Sequence, residues 1–186
     1  MGRLIYSMMQ SLDGYVSDAA GGFGWAEPDE SVHTFANQLQ RPIGTNLLGR
    51  RMFEVMSAWE TLGTSGDEPA YIVEFGELWR ASEKVVYSTT LDSVGDARAR
   101  IERRFDSEAV RRLKEQSARD ISISGPTLAA QAIESGLVDE YQLFIAPVVV
   151  GGGTRCLPDG VRLDLRLIDH RRFDNGMVYV SYRPAG

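Results

Sequence analysis

Short β-prone apolar runs alternate along this chain with stretches of helical spacing, and that alternation predicts a mixed α/β fold. Leu4 to Met9 is the first such run, and it leads into Ser11-Leu12-Asp13-Gly14-Tyr15-Val16, where Asp13-Gly14 is a turn signal. From about Pro28 to Leu39, residues Val32, Phe35, Ala36 and Leu39 recur at helical spacing, with Asp29 and Glu30 in the first turn, where the dipole favours acids. Thr45 to Leu48 is a second strand, and Gly49 turns it into a helix that opens with Arg50 and Arg51. Residues 63–68 are a polar loop, Tyr71 to Trp79 read as a helix, and Lys84 to Ser88 form a short buried strand ending in Ser88-Thr89-Thr90. Asp106 and Ser107 can cap a helix through about Ser117, with Val110 and Leu113 inward.

The stretch Asp120 to Ile133 organises the rest. Ile121 and Ile123 alternate with Ser122 and Ser124; Gly125 and Pro126 then open a helix whose apolar face is Leu128, Ala129, Ala132 and Ile133, stopped by Gly136. Leu143 to Val150 is nearly continuous in apolar character, as a strand buried on both faces would be, and Gly151 to Gly153 end it. The tail alternates through Leu163, Leu165 and Leu167, turns near Asp174-Asn175-Gly176, and returns through Met177, Val178, Val180 and Tyr182 as a terminal β-hairpin. No repeat or linker interrupts the order. The expectation is one domain over residues 1–186, with a largely parallel central sheet, helices on both faces and the hairpin on one edge.

Composition narrows the function. Hydrophobic content of 43% and charged content of 25% are those of a globular protein, and a net charge of -6 argues against nonspecific nucleic-acid binding. The single cysteine, Cys156, excludes an internal disulfide and a thiolate zinc site. With neither a signal peptide nor an apolar stretch long enough to span a bilayer, the expectation is a cytoplasmic protein with no membrane partner. Exposed sheet edges and long C-terminal strands point to a homodimer.

Three strand ends offer Gly49-Arg50-Arg51, Ser88-Thr89-Thr90 and Ser124-Gly125-Pro126-Thr127, and in open α/β sheets ligands bind at the carboxyl ends of strands. The last is either an ordinary βα turn or a phosphate site at a helix N-terminus. Arg50 and Arg51 oppose the positive end of the dipole, so they either reach into solvent or flank an anion. The loop Gly21-Gly22-Phe23-Gly24-Trp25 combines mobility with aromatic cover, as a lid would. There is no Gly-x-Gly-x-x-Gly after the first strand, no Gly-Lys-Ser/Thr phosphate loop and no His-Glu-x-x-His pair.

In their order these pieces resemble the dihydrofolate reductase-like fold and, more closely, the reductase domain of riboflavin biosynthesis, the RibD C-terminal type. The resemblance is carried by Ser11 to Val16, Leu47-Leu48-Gly49-Arg50-Arg51, Val85 to Ser88, Gly125 to Ala129, Gly136 to Glu140 and Pro147 to Gly153. It implies a reductase binding NADPH across the sheet. Position by position, it implies that Gly49, Arg50 and Arg51 meet the pyrophosphate and the adenosine 2′-phosphate, with Ser88 and Thr89 at that same end. Ser124, Gly125, Thr127 and Leu128 would line the pyrophosphate, and Val16 would lie near the nicotinamide. Ser124 replaces the first of two glycines usual at this junction, where the family also implies a cis peptide, here Ser124-Gly125.

On the substrate side, Trp25-Ala26-Glu27-Pro28-Asp29-Glu30 matches the Trp-x-x-Pro-x-Asp/Glu run of dihydrofolate reductases, which puts Glu30 under the substrate ring as a buried acid with a raised pKa. The alternative is an ordinary first-turn acid. His33, one turn on, either touches substrate beside Trp25 or is exposed. No counterpart is identified for the arginine that grips the folate tail. No aminohydrolase zinc motif is present, so the expectation is a stand-alone reductase acting on a dihydropteridine or a ribosylaminopyrimidine-like compound, without a metal. The rival is a non-catalytic nucleotide- or ligand-binding protein on the same scaffold.

Overall fold

A computed structural model describes residues 1–185. The strands are β1 (Leu4–Ser11), β2 (Tyr15–Ser17), β3 (Ile43–Gly49), β4 (Glu83–Tyr87), β5 (Ala99–Glu102), β6 (Asp120–Ser124), β7 (Glu140–Ala146), β8 (Thr154–Arg155), β9 (Leu165–Arg172) and β10 (Val178–Pro184). The helices are α1 (Glu30–Gln40), α2 (Arg50–Met56), α3 (Ala70–Ala81), α4 (Ser107–Gln116) and α5 (Pro126–Glu134). Eight strands form one sheet in the order β5-β4-β3-β6-β1-β7-β10-β9. The first six run parallel, while β10 is antiparallel to both β7 and β9. The fold is therefore the expected mixed α/β architecture, with the C-terminal hairpin on one edge.

Strand alternation decides what each face of the sheet does. Leu4, Tyr6, Leu47, Ile121, Ile123, Tyr141 and Leu143 share a buried cluster with Val110 of α4 and with Leu128, Ala129, Ala132 and Ile133 of α5. Burying Leu128 and Ile133 contributes roughly 1.5–3 kcal/mol each, enough to seat α5 against the sheet. On the opposite face, α1 packs on α3, and Val32 joins Phe144, Phe173 and Tyr179 in a second cluster. Asp29 caps α1 by accepting from the Val32 N–H at 2.9 Å, and Asp106 caps α4 through Glu108 and Ala109.

Two strand assignments needed the structure. The apolar run expected from Leu143 to Val150 is a strand over Glu140–Ala146 only, because Pro147 cannot donate to the ladder. The edge strand β5 lies in an arginine-rich stretch where the sequence pattern gives no strand; only alternate residues of it are half-buried. Among the described residues, no helix is long and apolar enough to cross a membrane.

Candidate functional site

A cleft of about 1560 Å³ opens over the sheet face that carries α1 and α3. Its floor follows from strand register. Ser7 of β1 stands opposite Gln142 of β7, and Ile5 lies between Ser122 of β6 and Glu140 of β7; Asn46 of β3 stands opposite Ser122. The face that would otherwise be apolar thus carries a stripe of neutral hydrogen-bonding side chains.

At one end of the cleft, the carboxyl ends of β3 and β6 present Gly49 and Gly125. Gly125 has φ 93°, outside the range of ordinary L-residues, and a Cβ there would lie 3.6 Å from the Met52 Cβ and 3.7 Å from the Gly49 nitrogen. Helix α5 begins with Pro126 and has no side-chain cap; its first helical bond is Ala129 N–H to Gly125 O at 2.9 Å. The Thr127 and Leu128 N–H groups therefore have no helical carbonyl to meet. Helix α2 likewise has no side-chain cap at Gly49. Arg50 and Arg51 line the cleft at this point; Arg50 Nε donates to Glu54 at 2.7 Å and its Nη1 to the Thr90 hydroxyl at 2.6 Å. Two uncapped helix starts and two cations converge on one spot.

The structure corrects several expectations here. The Ser124-Gly125 peptide is trans. Ser88 and Thr89 do not line the cleft: Ser88 is buried, with its hydroxyl accepting from the Thr90 and Leu91 N–H groups at 3.3 and 3.0 Å, so it shapes the turn. The hydroxyl that meets Arg50 belongs to Thr90. Val16, Gly49, Arg50, Arg51, Ser124, Gly125, Thr127 and Leu128 all line the cleft.

Val16 sits in β2 at the mouth, where β2 pairs with β8. Asp13 accepts from the Val150 and Gly151 N–H groups at 3.1 and 2.8 Å, tying the first turn to the glycine run. Gly153 packs so closely that a Cβ would lie 1.9 Å from the Ser17 carbonyl oxygen. The lid loop closes on itself through Asp18, whose carboxylate accepts from the N–H groups of Ala20 and Gly22 at 2.9 and 2.8 Å.

The polar floor is held by two hydrogen-bonded chains. In one, Gln142 Nε2 donates to Glu140 Oε1 at 2.8 Å; Glu140 also receives Ser181 at 3.1 Å, Arg3 Nη1 at 2.8 Å and Arg183 at 3.0 and 2.8 Å. Burial alone would raise the Glu140 pKa, but donors from Gln142, Arg183 and Ser181 together with the Arg3 charge more than offset it, and the net shift is downward. In the other, Ser82 donates to the Trp79 carbonyl at 2.8 Å and accepts from Asn46 Nδ2 at 2.7 Å, while Asn46 Oδ1 accepts from Ser122 at 2.7 Å and Gln40 Nε2 at 3.1 Å. Gln142 and Asn46 were missed in the sequence; their signal was a lone amide inside an otherwise apolar strand.

None of the three expected substrate residues lines the cleft. Glu30 is exposed at the first position of α1, because Asp29 takes the cap and the inward positions fall at Val32 and His33. The buried acid expected there does not exist; Glu27, exposed at the rim, is the acid of that run which borders the cleft. His33 is buried rather than exposed, its ring 5.5 Å from Trp59, 5.1 Å from Tyr71 and 5.5 Å from Phe75, and burial pushes its pKa down. Trp25 packs against the cluster around Val32 and Phe144.

The chain's likenesses agree with this geometry. The family model described as the RibD C-terminal domain matches residues 3–179. The uncharacterized protein YyaP of Bacillus subtilis (strain 168) is 30% identical over 188 residues, covering 99% of this chain and 96% of that one. Among solved structures, a protein provisionally assigned to riboflavin biosynthesis from Shewanella sp. PV-4 superposes with a TM-score of 0.77 at 17% identity, covering all of both chains. A deaminase/5-amino-6-(5-phosphoribosylamino)uracil reductase from Thermotoga maritima gives 0.67 at 14% identity over 99% of this chain and 57% of that one. Dihydrofolate reductase from Enterococcus faecalis, complexed with NADP(H), gives 0.65 at 13% identity over 100% and 98%. At these identities the solved structures speak for the fold.

Proposed function

The chain belongs to the RibD C-terminal domain family, and on that premise we propose that it is an NADPH-dependent reductase of a small heterocycle. The observation that carries this reading is the convergence of Gly49, Gly125, two uncapped helix starts and two arginines at one end of a cleft of about 1560 Å³. That volume exceeds the roughly 300–1,000 Å³ of a typical single-ligand pocket, which suits a dinucleotide together with a second small molecule.

The residues present fit the cofactor. Gly125 leaves open the space that a side chain would fill, and the free N–H groups of Thr127 and Leu128 supply donors where a pyrophosphate requires them. Arg50 and Arg51 supply the positive charge that a further phosphate requires, with Arg50 steadied by Thr90. NADPH, when bound, supplies a hydride. The chain's part is to hold the ring of the substrate against the Ser7 and Gln142 stripe, to exclude water with the Gly21–Trp25 lid and to admit a proton. Among the described residues no carboxylate is buried in the cleft wall, so the proton comes from water at the rim, where Asp18 and Glu27 stand.

That missing acid also favours a second reading, a protein that binds the nucleotide without turning it over. One assay separates them. NADPH is titrated into the protein by calorimetry, and its oxidation is then followed with a panel of dihydropterins, aminopyrimidines and simple carbonyl compounds. Binding with oxidation supports the reductase; binding without oxidation across the panel supports the binding protein; absence of binding refutes both.

A further inference from the structure

We propose that the heterocycle this cleft recognises is unphosphorylated and presents N–H donors, held by the amide carbonyl of Gln142 rather than by a charged side chain. The inference rests on the reductase reading for the identity of the site, and on the chemistry of the floor for the class of compound.

Charge comes first. Among the described residues, the cleft wall carries four charged side chains, the cations Arg50 and Arg51 and the acids Asp18 and Glu27. Both cations stand in the first turn of α2, at the end where the uncapped helices meet, and the cofactor's own phosphates require them there. Nothing cationic is left over the rest of the floor to neutralise a second phosphate, and the acids at the rim would repel one. The Thermotoga maritima enzyme is named for a phosphoribosyl compound. This cleft lacks the charge to grip such a group.

Hydrogen-bond polarity comes second. Glu140 receives Arg3 and Arg183 and is held ionised, so it can only accept. The part of Gln142 that faces it at 2.8 Å must be the NH₂ group, and the carbonyl is then the end left for a ligand. Gln142 is 6% exposed and lines the cleft, so that acceptor is offered in a largely dry setting where an unmatched partner is costly. The same logic fixes the second chain. Ser82 donates its only proton to the Trp79 carbonyl and so must accept from Asn46; Asn46 must then turn its oxygen to Ser122 and Gln40, and Gln40 is left with a free carbonyl. Both locked amides therefore offer acceptors to the cleft. Gln40 hangs on Asn46 of β3, which stands three strand spacings, about 14 Å, from Gln142 of β7, so the two acceptors serve different parts of the cleft. The ring belongs to Gln142, because Ser7 is its direct cross-strand partner and adds a hydroxyl beside it. An amino or ring N–H group matches this pair, and a phosphate does not.

The test measures affinity in the full-length protein, with and without NADPH, for 5-amino-6-(ribosylamino)uracil and for its 5′-phosphate, by calorimetry. The expected result is that the unphosphorylated compound binds at least tenfold more tightly. Gln142→Leu should lose at least tenfold of that affinity while NADPH affinity stays unchanged, and Ser7→Ala should lose part of it in a protein that melts normally. Equal or tighter binding of the phosphate, binding of neither compound, or full affinity in both variants overturns the proposal. If the affinity order holds but NADPH is never oxidised, the reductase reading fails and this inference stands; if NADPH is oxidised with the phosphorylated compound preferred, the reverse is true.

Discussion

Replacing Glu140 by Gln tests whether the ionised carboxylate beneath the cleft floor holds both the fold and the Gln142 amide. The substitution preserves shape and, with its carbonyl kept towards Ser181 and Gln142, the acceptor on that side, but it sets an NH₂ donor against one contact to Arg3 at 2.8 Å and two to Arg183 at 3.0 and 2.8 Å. Glu140 is 6% exposed, and a hydrogen bond to a charged group is worth roughly 1.5–3 kcal/mol where it is fully buried. The Arg3 and Arg183 side chains are 41% and 40% exposed, so water compensates them in part, and the net loss should be about 2–3 kcal/mol. At roughly 2–4 °C per kcal/mol for a domain of this size, Tm should fall by about 4–12 °C at pH 7. The pH dependence carries a sign. Because the folded-state pKa lies below the ordinary 4.5, the carboxylate's contribution is complete above that value and is lost as pH falls through the folded-state pKa. Melting curves of both proteins from pH 7 downwards should therefore show a constant gap to about pH 5 that closes in acid. An unchanged Tm at pH 7, or a gap that widens in acid, would refute the reasoning.

Arg50→Ala should weaken NADPH about tenfold or more and leave NADH nearly unchanged, measured by paired titrations; equal losses would give Arg50 a pyrophosphate or structural role. Gly125→Ala forces a non-glycine residue to φ 93° at a cost of roughly 1–3 kcal/mol, so it should lower Tm and abolish NADPH binding; an unperturbed affinity would exclude the junction as the phosphate site. Glu30→Gln should leave NADPH oxidation unchanged on any verified substrate, since the side chain faces solvent, and a large loss would show that α1 rearranges when ligands bind.

Much of the architecture was legible because its punctuation is local. Gly125-Pro126 marks the start of α5, and Asp29 and Asp106 mark the starts of α1 and α4, through backbone chemistry that needs no distant partner. The end of the cleft where Gly49, Arg50, Arg51 and Gly125 meet was legible for the same reason, since each is tied to a strand-to-helix turn. Strand β5 was not, because it alternates Arg100 and Glu102 outward and takes its order from pairing with β4. The placement of Glu30 depended on helix phase. With Asp29 as the cap, the inward positions fall at Val32 and His33, and a spacing motif that ignores the cap points past Glu27, the acid that borders the cleft, to the exposed Glu30. The locking of Gln142 depends on Arg3 and Arg183, which are 139 and 41 residues away in sequence; no local pattern reports that. Register brings them together.

The most direct test of the central claim is transfer of label from NADPH deuterated at the transferable position of its nicotinamide, using an unphosphorylated N–H-bearing pyrimidine or pterin as acceptor and mass spectrometry of the product. The account predicts one deuterium in the reduced heterocycle with the wild-type protein, and loss of that product with Gly125→Ala. NADPH that binds saturably yet passes no deuterium to any acceptor in the panel would contradict it.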